Sequence, residues 1–185
     1  MEQTDLTRRR WLSLGGILLG ASLLPNWVSA SVSTPKPLIL RLRNINTGEV
    51  LNAQYSKNGF SGKMLGKLNH IMRDRRTNQV RKIDPKLFHK LTQIQAKLGA
   101  RNSEIIIISG YRSPQTNAQM RQRSRGVASN SYHTRGQAID LRISNIPLAK
   151  LKAAAESLNN GGVGFYPQSN FVHVDTGPAR TWRGI

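Results

Sequence analysis

The chain has no cysteine. That one absence excludes disulfides, thiolate metal ligands, a cysteine nucleophile and a lipidated N-terminal cysteine. Acidic residues are scarce: nine Asp and Glu stand against 28 Lys and Arg, a net charge of +19 over 185 residues. The folded surface must carry a strongly positive field, so an anionic partner is expected. Nucleic acid, a carboxylate-rich cell wall and phosphate-bearing envelope polymers all satisfy that field, and charge alone does not choose among them. Internal repeats are also lacking, and the only linker-like stretch is Ser31 to Pro37, which leaves no support for a second domain.

The first thirty residues narrow the choice of partner. Thr7-Arg8-Arg9-Arg10-Trp11-Leu12 precedes an apolar run through Leu24, and Val28-Ser29-Ala30 forms a small-residue cleavage site. The paired arginines are similar to a twin-arginine export signal, with Trp11 where that pattern usually has Phe. Residues 1–30 are therefore read as a signal cleaved near Ala30, 31–37 as a short linker and 38–185 as one domain. An uncleaved anchor is the alternative, but the apolar run falls short of the roughly 20 residues a spanning helix needs. No stable membrane span is expected once the signal is gone. The signal holds three arginines and two acids, so its removal leaves the mature charge at +18. Export argues against nucleic acid as the partner, and no nucleic-acid-binding motif is present.

Leu38 to Arg43 and Val50 to Tyr55 alternate around the turn-like Asn46-Thr47-Gly48 and are expected to form a hairpin. Helical spacing of apolar residues follows over Lys63 to Arg76 and over Pro85 to Leu98, with Asp84 placed as an N-cap. Ile105 to Ile108 reads as a buried strand ending at Ser109-Gly110, and a helix is expected to start at Ser113-Pro114. Ala138 to Ile143 and Phe171 to Thr176 are further strands, Pro147 to Leu158 is a helix, and Gly161-Gly162 is read as a turn. The mixture is α+β.

Two segments carry the chemistry. In Ser131-Tyr132-His133-Thr134-Arg135-Gly136-Gln137-Ala138-Ile139-Asp140, a turn joins His133 to a strand on which Ile139, Leu141 and Ile143 face one way and Asp140 the other. In Phe171-Val172-His173-Val174-Asp175-Thr176-Gly177, alternation puts His173 and Asp175 on one face and Val172 and Val174 on the other. A catalytic zinc commonly takes three His or carboxylate ligands and keeps a fourth position for water. His133, Asp140 and His173 would supply three. On spacing alone each histidine could equally be a core residue bonded to backbone, and Asp140 the partner of an arginine.

The pattern Ser-x-His-x6-Asp, followed about thirty residues later by His in Phe-Val-His-Val-Asp-Thr-Gly, resembles the zinc-dependent D-Ala-D-Ala peptidases and murein endopeptidases of the M15 superfamily. Within them it resembles most the YcbK-like (MepK-type) branch. The likeness extends through Asn46-Thr47-Gly48-Glu49, Arg73-Asp74-x-Arg76-Thr77, Ser109-Gly110-Tyr111-Arg112-Ser113-Pro114, Gly161 to Pro167 and Arg180-Thr181-Trp182. It implies a small antiparallel sheet flanked by helices, Zn2+ held by His133, Asp140 and His173, and Arg112 beside the metal. The implied activity is that of a zinc endopeptidase cutting peptide cross-links of peptidoglycan; the signal adds export to the periplasm, and a monomer is expected. A murein D,D- or L,D-carboxypeptidase and a non-catalytic wall-binding protein of the same fold are the alternatives.

Arg112 follows a buried strand, where a fixed guanidinium can stabilise an oxyanion or meet a substrate carboxylate. One feature departs from the wider family, whose members often carry Glu or Asp a few residues before the final His. Position 170 is Asn here, and residues 157–172 hold no carboxylate. Asp175 is then the nearest candidate base; the competing roles are orienting a zinc histidine and an ion pair with Arg180 or Arg183. His70 and His89 lie off the apolar faces of their helices and are expected to be exposed, without a catalytic role.

Overall fold

Residues 38–124 and 126–184 are described by the structure, a computed structural model. The export signal and linker read over 1–37 lie outside the described residues. The elements run β1 (Leu38–Asn44), β2 (Val50–Tyr55), α1 (Gly62–Ile71), α2 (Pro85–Lys97), β3 (Ile105–Ser109) and α3 (Pro114–Arg123). A 3-10 turn (Tyr132–Arg135), β4 (Ala138–Ile143), α4 (Leu148–Glu156), β5 (Gly162–Tyr166), β6 (Phe171–Asp175) and β7 (Arg180–Arg183) complete the chain. The fold is α+β. Among the described residues no helix is long and apolar enough to cross a membrane.

The strands form one seven-stranded sheet in the order β2-β1-β3-β4-β6-β5-β7. It is larger than expected and not purely antiparallel, because β1 pairs β3 and β5 pairs β7 in parallel. A parallel neighbour requires a crossover, which β2, α1 and α2 supply for the first pair; for the second, Thr176 to Ala179 carry the chain past the end of β5. β5 and β7 were not anticipated. The glycines of Gly161-Gly162-Val163-Gly164 resemble turn residues, and four residues of β7 are too few for a periodicity to register.

One sheet face is apolar. Leu40, Leu42, Ile105, Ile107, Ile139, Leu141, Val172 and Val174 are fully buried there and share a core with Leu68 of α1, Leu87, Leu91 and Ile94 of α2, and Leu151 of α4. Burying each such side chain contributes about 1.5–3 kcal/mol. Helix ends follow local chemistry: Asp84 caps α2 by accepting from the Lys86 N–H at 3.0 Å, and Ser113 caps α3 by accepting from the Thr116 N–H at 3.1 Å. α3 contributes nothing to the apolar core; its buried residues are Thr116 and Asn117.

Helix α1 ends at Ile71, five residues before the expected Arg76. Two tertiary bonds pull the chain out of the helix. The Met72 carbonyl accepts from the Tyr111 N–H at 2.7 Å. The buried Asp74 carboxylate then accepts from the backbone N–H of Arg76 at 2.9 Å and from that of Ser113 at 2.8 Å.

Candidate metal centre

The polar face of the sheet is organised in rows. Ser109 of β3 lies opposite Asp140 of β4, Asp140 opposite His173 of β6, His173 opposite Gly164 of β5, and Gly164 opposite Trp182 of β7. Residues directly paired across strands share a face and place their Cβ atoms within about 4.5–5.5 Å. Asp140 and His173 are therefore neighbours by register alone. Two residues along, Asp175 lies opposite Ala138 and Gly162 opposite Arg180. The glycines of β5 make room for these side chains. A Cβ at Gly164 would come within 2.5 Å of the Trp182 indole, and one at Gly162 within 2.5 Å of both the Asp175 carboxylate and the Arg180 guanidinium.

His133 reaches the same point from the 3-10 turn. Ser131 shapes that turn, its hydroxyl accepting from the His133 N–H at 3.3 Å. Three potential ligand atoms converge: His133 Nε2 and His173 Nδ1 are 3.1 Å apart, and Asp140 Oδ1 lies 3.2 Å from the first and 2.8 Å from the second. All three residues are buried. The far side of each ring is also bonded. His133 Nδ1 donates to the Gly110 carbonyl at 2.7 Å, and His173 Nε2 donates to Asp175 Oδ2 at 3.1 Å. In the neutral rings those bonds hold the protons outward and turn two lone pairs toward the Asp140 oxygen.

Three acceptors facing one point repel one another unless a cation lies among them. Ligands about 2.0–2.1 Å from a tetrahedral ion stand roughly 3.3 Å apart, close to the spacing seen here. Two imidazoles and one carboxylate suit a transition metal better than magnesium or calcium, which prefer oxygen. The donor set thus fits a metal ion, which His133, Asp140 and His173 could hold.

The electrostatics couple the three groups. Burial raises the Asp140 pKa, but the two histidines outweigh it and hold the carboxyl well below the usual range. Burial pushes the His133 imidazole down, only partly offset by Asp140. At His173 burial acts the same way, but the bonds to Asp140 and Asp175 prevail and raise it. Asp140 is thus held as an anion, while the raised His173 would have to release a proton for its inner nitrogen to bind a metal.

Asp175 stands behind His173. It is 0% exposed, and its carboxylate accepts from the N–H groups of Gly162 and Gly177 at 2.9 and 2.8 Å. Arg180 adds a two-pronged contact, Nη1 to Oδ1 at 3.1 Å and Nη2 to Oδ2 at 2.6 Å. The Arg180 guanidinium is stacked between Tyr132 and Trp182, 4.8 and 5.0 Å from their ring centres. Of the two candidate arginines, Arg180 is the one that pairs with Asp175. Lys90 supports the same residue from α2, its buried ammonium donating to the Asp175 carbonyl at 3.0 Å.

Arg112 flanks the centre. Its Nη1 donates to Asn117 Oδ1 at 3.2 Å, and Nη2 lies 3.5 Å from the Ser109 hydroxyl and 3.6 Å from Asp140 Oδ2. Asp140 thus turns one oxygen to the histidines and the other to Arg112. The Arg112 Nε is buried without a hydrogen-bond partner among the described residues. The centre opens into a cleft of about 1130 Å³ whose walls include Tyr111, Met120, Tyr132, Tyr166 and Trp182. His70 and His89 are exposed and lie outside it.

The contributions of Gly110, Lys90, Gly162 and Gly164 were not foreseen. Backbone groups and glycines carry no chemical signature in a sequence. The spacing Arg180-x-Trp182 puts both side chains on one strand face, as His173-x-Asp175 does, but on a strand that was not anticipated.

Known proteins resemble the chain over most of its length. Residues 32–182 match the family model described as Peptidoglycan L,D-endopeptidase MepK. The chain is 62% identical, over the full length of both proteins, to the probable peptidoglycan L,D-endopeptidase MepK of Haemophilus influenzae. It is 51% identical to the peptidoglycan L,D-endopeptidases MepK of Escherichia coli K12 and of Shigella flexneri, over 98% of this chain and all of each relative. No solved structure matches the chain significantly.

Proposed function

The chain belongs to the MepK family of peptidoglycan L,D-endopeptidases, and from that premise we propose that it is an exported, zinc-dependent enzyme hydrolysing peptide cross-links of peptidoglycan. The observation that carries this reading is the convergence of His133 Nε2, Asp140 Oδ1 and His173 Nδ1 at the floor of a cleft, with Arg112 alongside. The signal read over residues 1–30 would take the protein to the compartment where that polymer lies, the periplasm. The basic surface would hold it, as a monomer, on an anionic wall.

Zinc, when bound, supplies Lewis-acid activation of water and of the scissile carbonyl. The remaining work falls to the chain. Arg112, steadied by Asn117 and Ser109, offers a fixed positive charge where the carbonyl oxygen becomes negative. The Gly110 carbonyl and Asp175 hold the ring protons of His133 and His173 on the outer nitrogens, so that both inner nitrogens stay free to bind metal. Trp182 packs against His173, ring centres 5.2 Å apart, and limits its movement.

Of the two roles open to Asp175, the geometry favours orientation over proton transfer. Its carboxylate is enclosed and bonded to His173, Arg180 and two backbone N–H groups. Burial raises its pKa, but those bonds bring it well below the usual range, too low for a base matched to neutral pH. The test uses purified cross-linked muropeptide dimers. Zinc-loaded wild type is expected to convert them to monomers. Asp175→Asn should bind zinc roughly 10–100-fold more weakly and regain activity in excess zinc. Dimers left intact by the wild type would overturn the endopeptidase reading. Lost turnover at unchanged zinc affinity would make Asp175 the proton-transfer group instead.

A further inference from the structure

The segment Arg73-Asp74-Arg75-Arg76 takes no part in the chemistry described above, yet it is built into the wall of the metal cleft. Its anchor is Asp74, 2% exposed, whose carboxylate accepts from the N–H groups of Arg76 and Ser113. Burial raises the Asp74 pKa, but Ser113, Thr116 and the two backbone N–H groups more than compensate and lower it to about 2. Asp74 is therefore a fixed anion at any physiological pH. It ties the backbone of Arg76 to the residue that follows Arg112.

That tie brings Arg76 and Arg112 to one wall of the cleft. Arg73, by contrast, turns away to Glu49 and Asn78, at 2.7 and 2.6 Å. Arg76 is exposed, lines the cleft and makes no side-chain hydrogen bond or ion pair with the described residues. Arg112 lines the same cleft. Two like charges are thus brought together beside a metal centre, one of them with a buried, unbonded Nε. The carboxylates lining the same cleft are Asp74 and Asp140, and both are already engaged. Neither carboxylate pairs with the Arg76 guanidinium.

Resting on the endopeptidase reading, we propose that Arg76 is a specificity-determining residue that binds a free carboxylate of the substrate peptide next to the scissile bond, with Arg112 adjoining that subsite. A planar guanidinium matches a carboxylate in two parallel hydrogen bonds, which a neutral amide cannot reproduce. The enzyme would then prefer cross-links in which that carboxylate is free over those in which it is amidated.

The test pairs two cross-linked dimers, identical except that this carboxylate is free in one and amidated in the other, with wild type and Arg76→Gln. Amidation should lower the wild-type kcat/KM by roughly 10–100-fold, chiefly through KM. Arg76→Gln should lose about the same factor on the free carboxylate, lose nothing more on amidation, and keep the wild-type zinc content. If both proteins lose the same factor on amidation, the carboxylate is read elsewhere and the proposal fails. If wild type ignores amidation while still cutting both dimers, the proposal fails and the endopeptidase reading stands. Failure to cut either dimer would instead strike the reading on which it rests.

Discussion

His133→Ala is expected to leave a folded protein with no measurable hydrolysis and no tightly held zinc. Removing one of three convergent donors leaves only His173 Nδ1 and Asp140 Oδ1, which are 2.8 Å apart and then free to bond each other. A two-ligand site does not define the geometry that a catalytic zinc needs. The loss should exceed the roughly 10–100-fold cost of deleting an outer partner. The fold should survive, because the apolar core lies on the opposite face of the sheet. The Gly110 carbonyl, which accepts from His133 at 2.7 Å, would lose that donor. An unsatisfied buried acceptor costs about 1–3 kcal/mol, a shift that denaturant unfolding would resolve. Zinc analysis of the purified variant beside muropeptide digestion checks both halves of the expectation.

Arg112→Ala should behave differently. Turnover is expected to fall on the order of 10²–10³-fold with zinc content unchanged if Arg112, as proposed, supplies charge to the developing oxyanion and no ligand to the metal. The loss should be in kcat more than in KM, since the interaction strengthens only as the carbonyl oxygen becomes negative. Arg112→Lys should rescue little. One ammonium cannot reproduce the planar fork that spans Asn117, Ser109 and Asp140. Loss of zinc from Arg112→Ala would show instead that its main task is to steady Asp140, whose Oδ2 lies 3.6 Å away.

The parts of the site that were legible in the sequence share a physical basis. Asp140 and His173 lie on strands whose alternation is clear, with Ile139 and Leu141 in one and Val172 and Val174 in the other marking the apolar face. Period two then places the polar residues opposite. β4 has the bounds expected, and β6 ends one residue early at Asp175. Less legible was whatever depends on pairing between strands. That Asp140 sits beside His173, or that Arg180 reaches Asp175, follows from register, which alternation within one strand does not specify. β5 was hidden because the residues that open space for Trp182 and Arg180 are glycines, which read as a turn. Helix α1 reads as longer than it is because its end is set by contacts with Tyr111 and Ser113, about 40 residues downstream. Asp175 was ambiguous for a related reason: the same strand face serves a base pointing into the cleft and a partner held behind the ring.

The most direct test of the account is to strip the protein of metal and titrate zinc back while following cleavage of cross-linked muropeptides by mass. The account predicts no cleavage at the start, a linear rise with added zinc, and a plateau at one equivalent, with dimers converted to monomers. Cleavage that persists without metal, or a zinc-loaded protein that binds sacculi but leaves every cross-link intact, would contradict it.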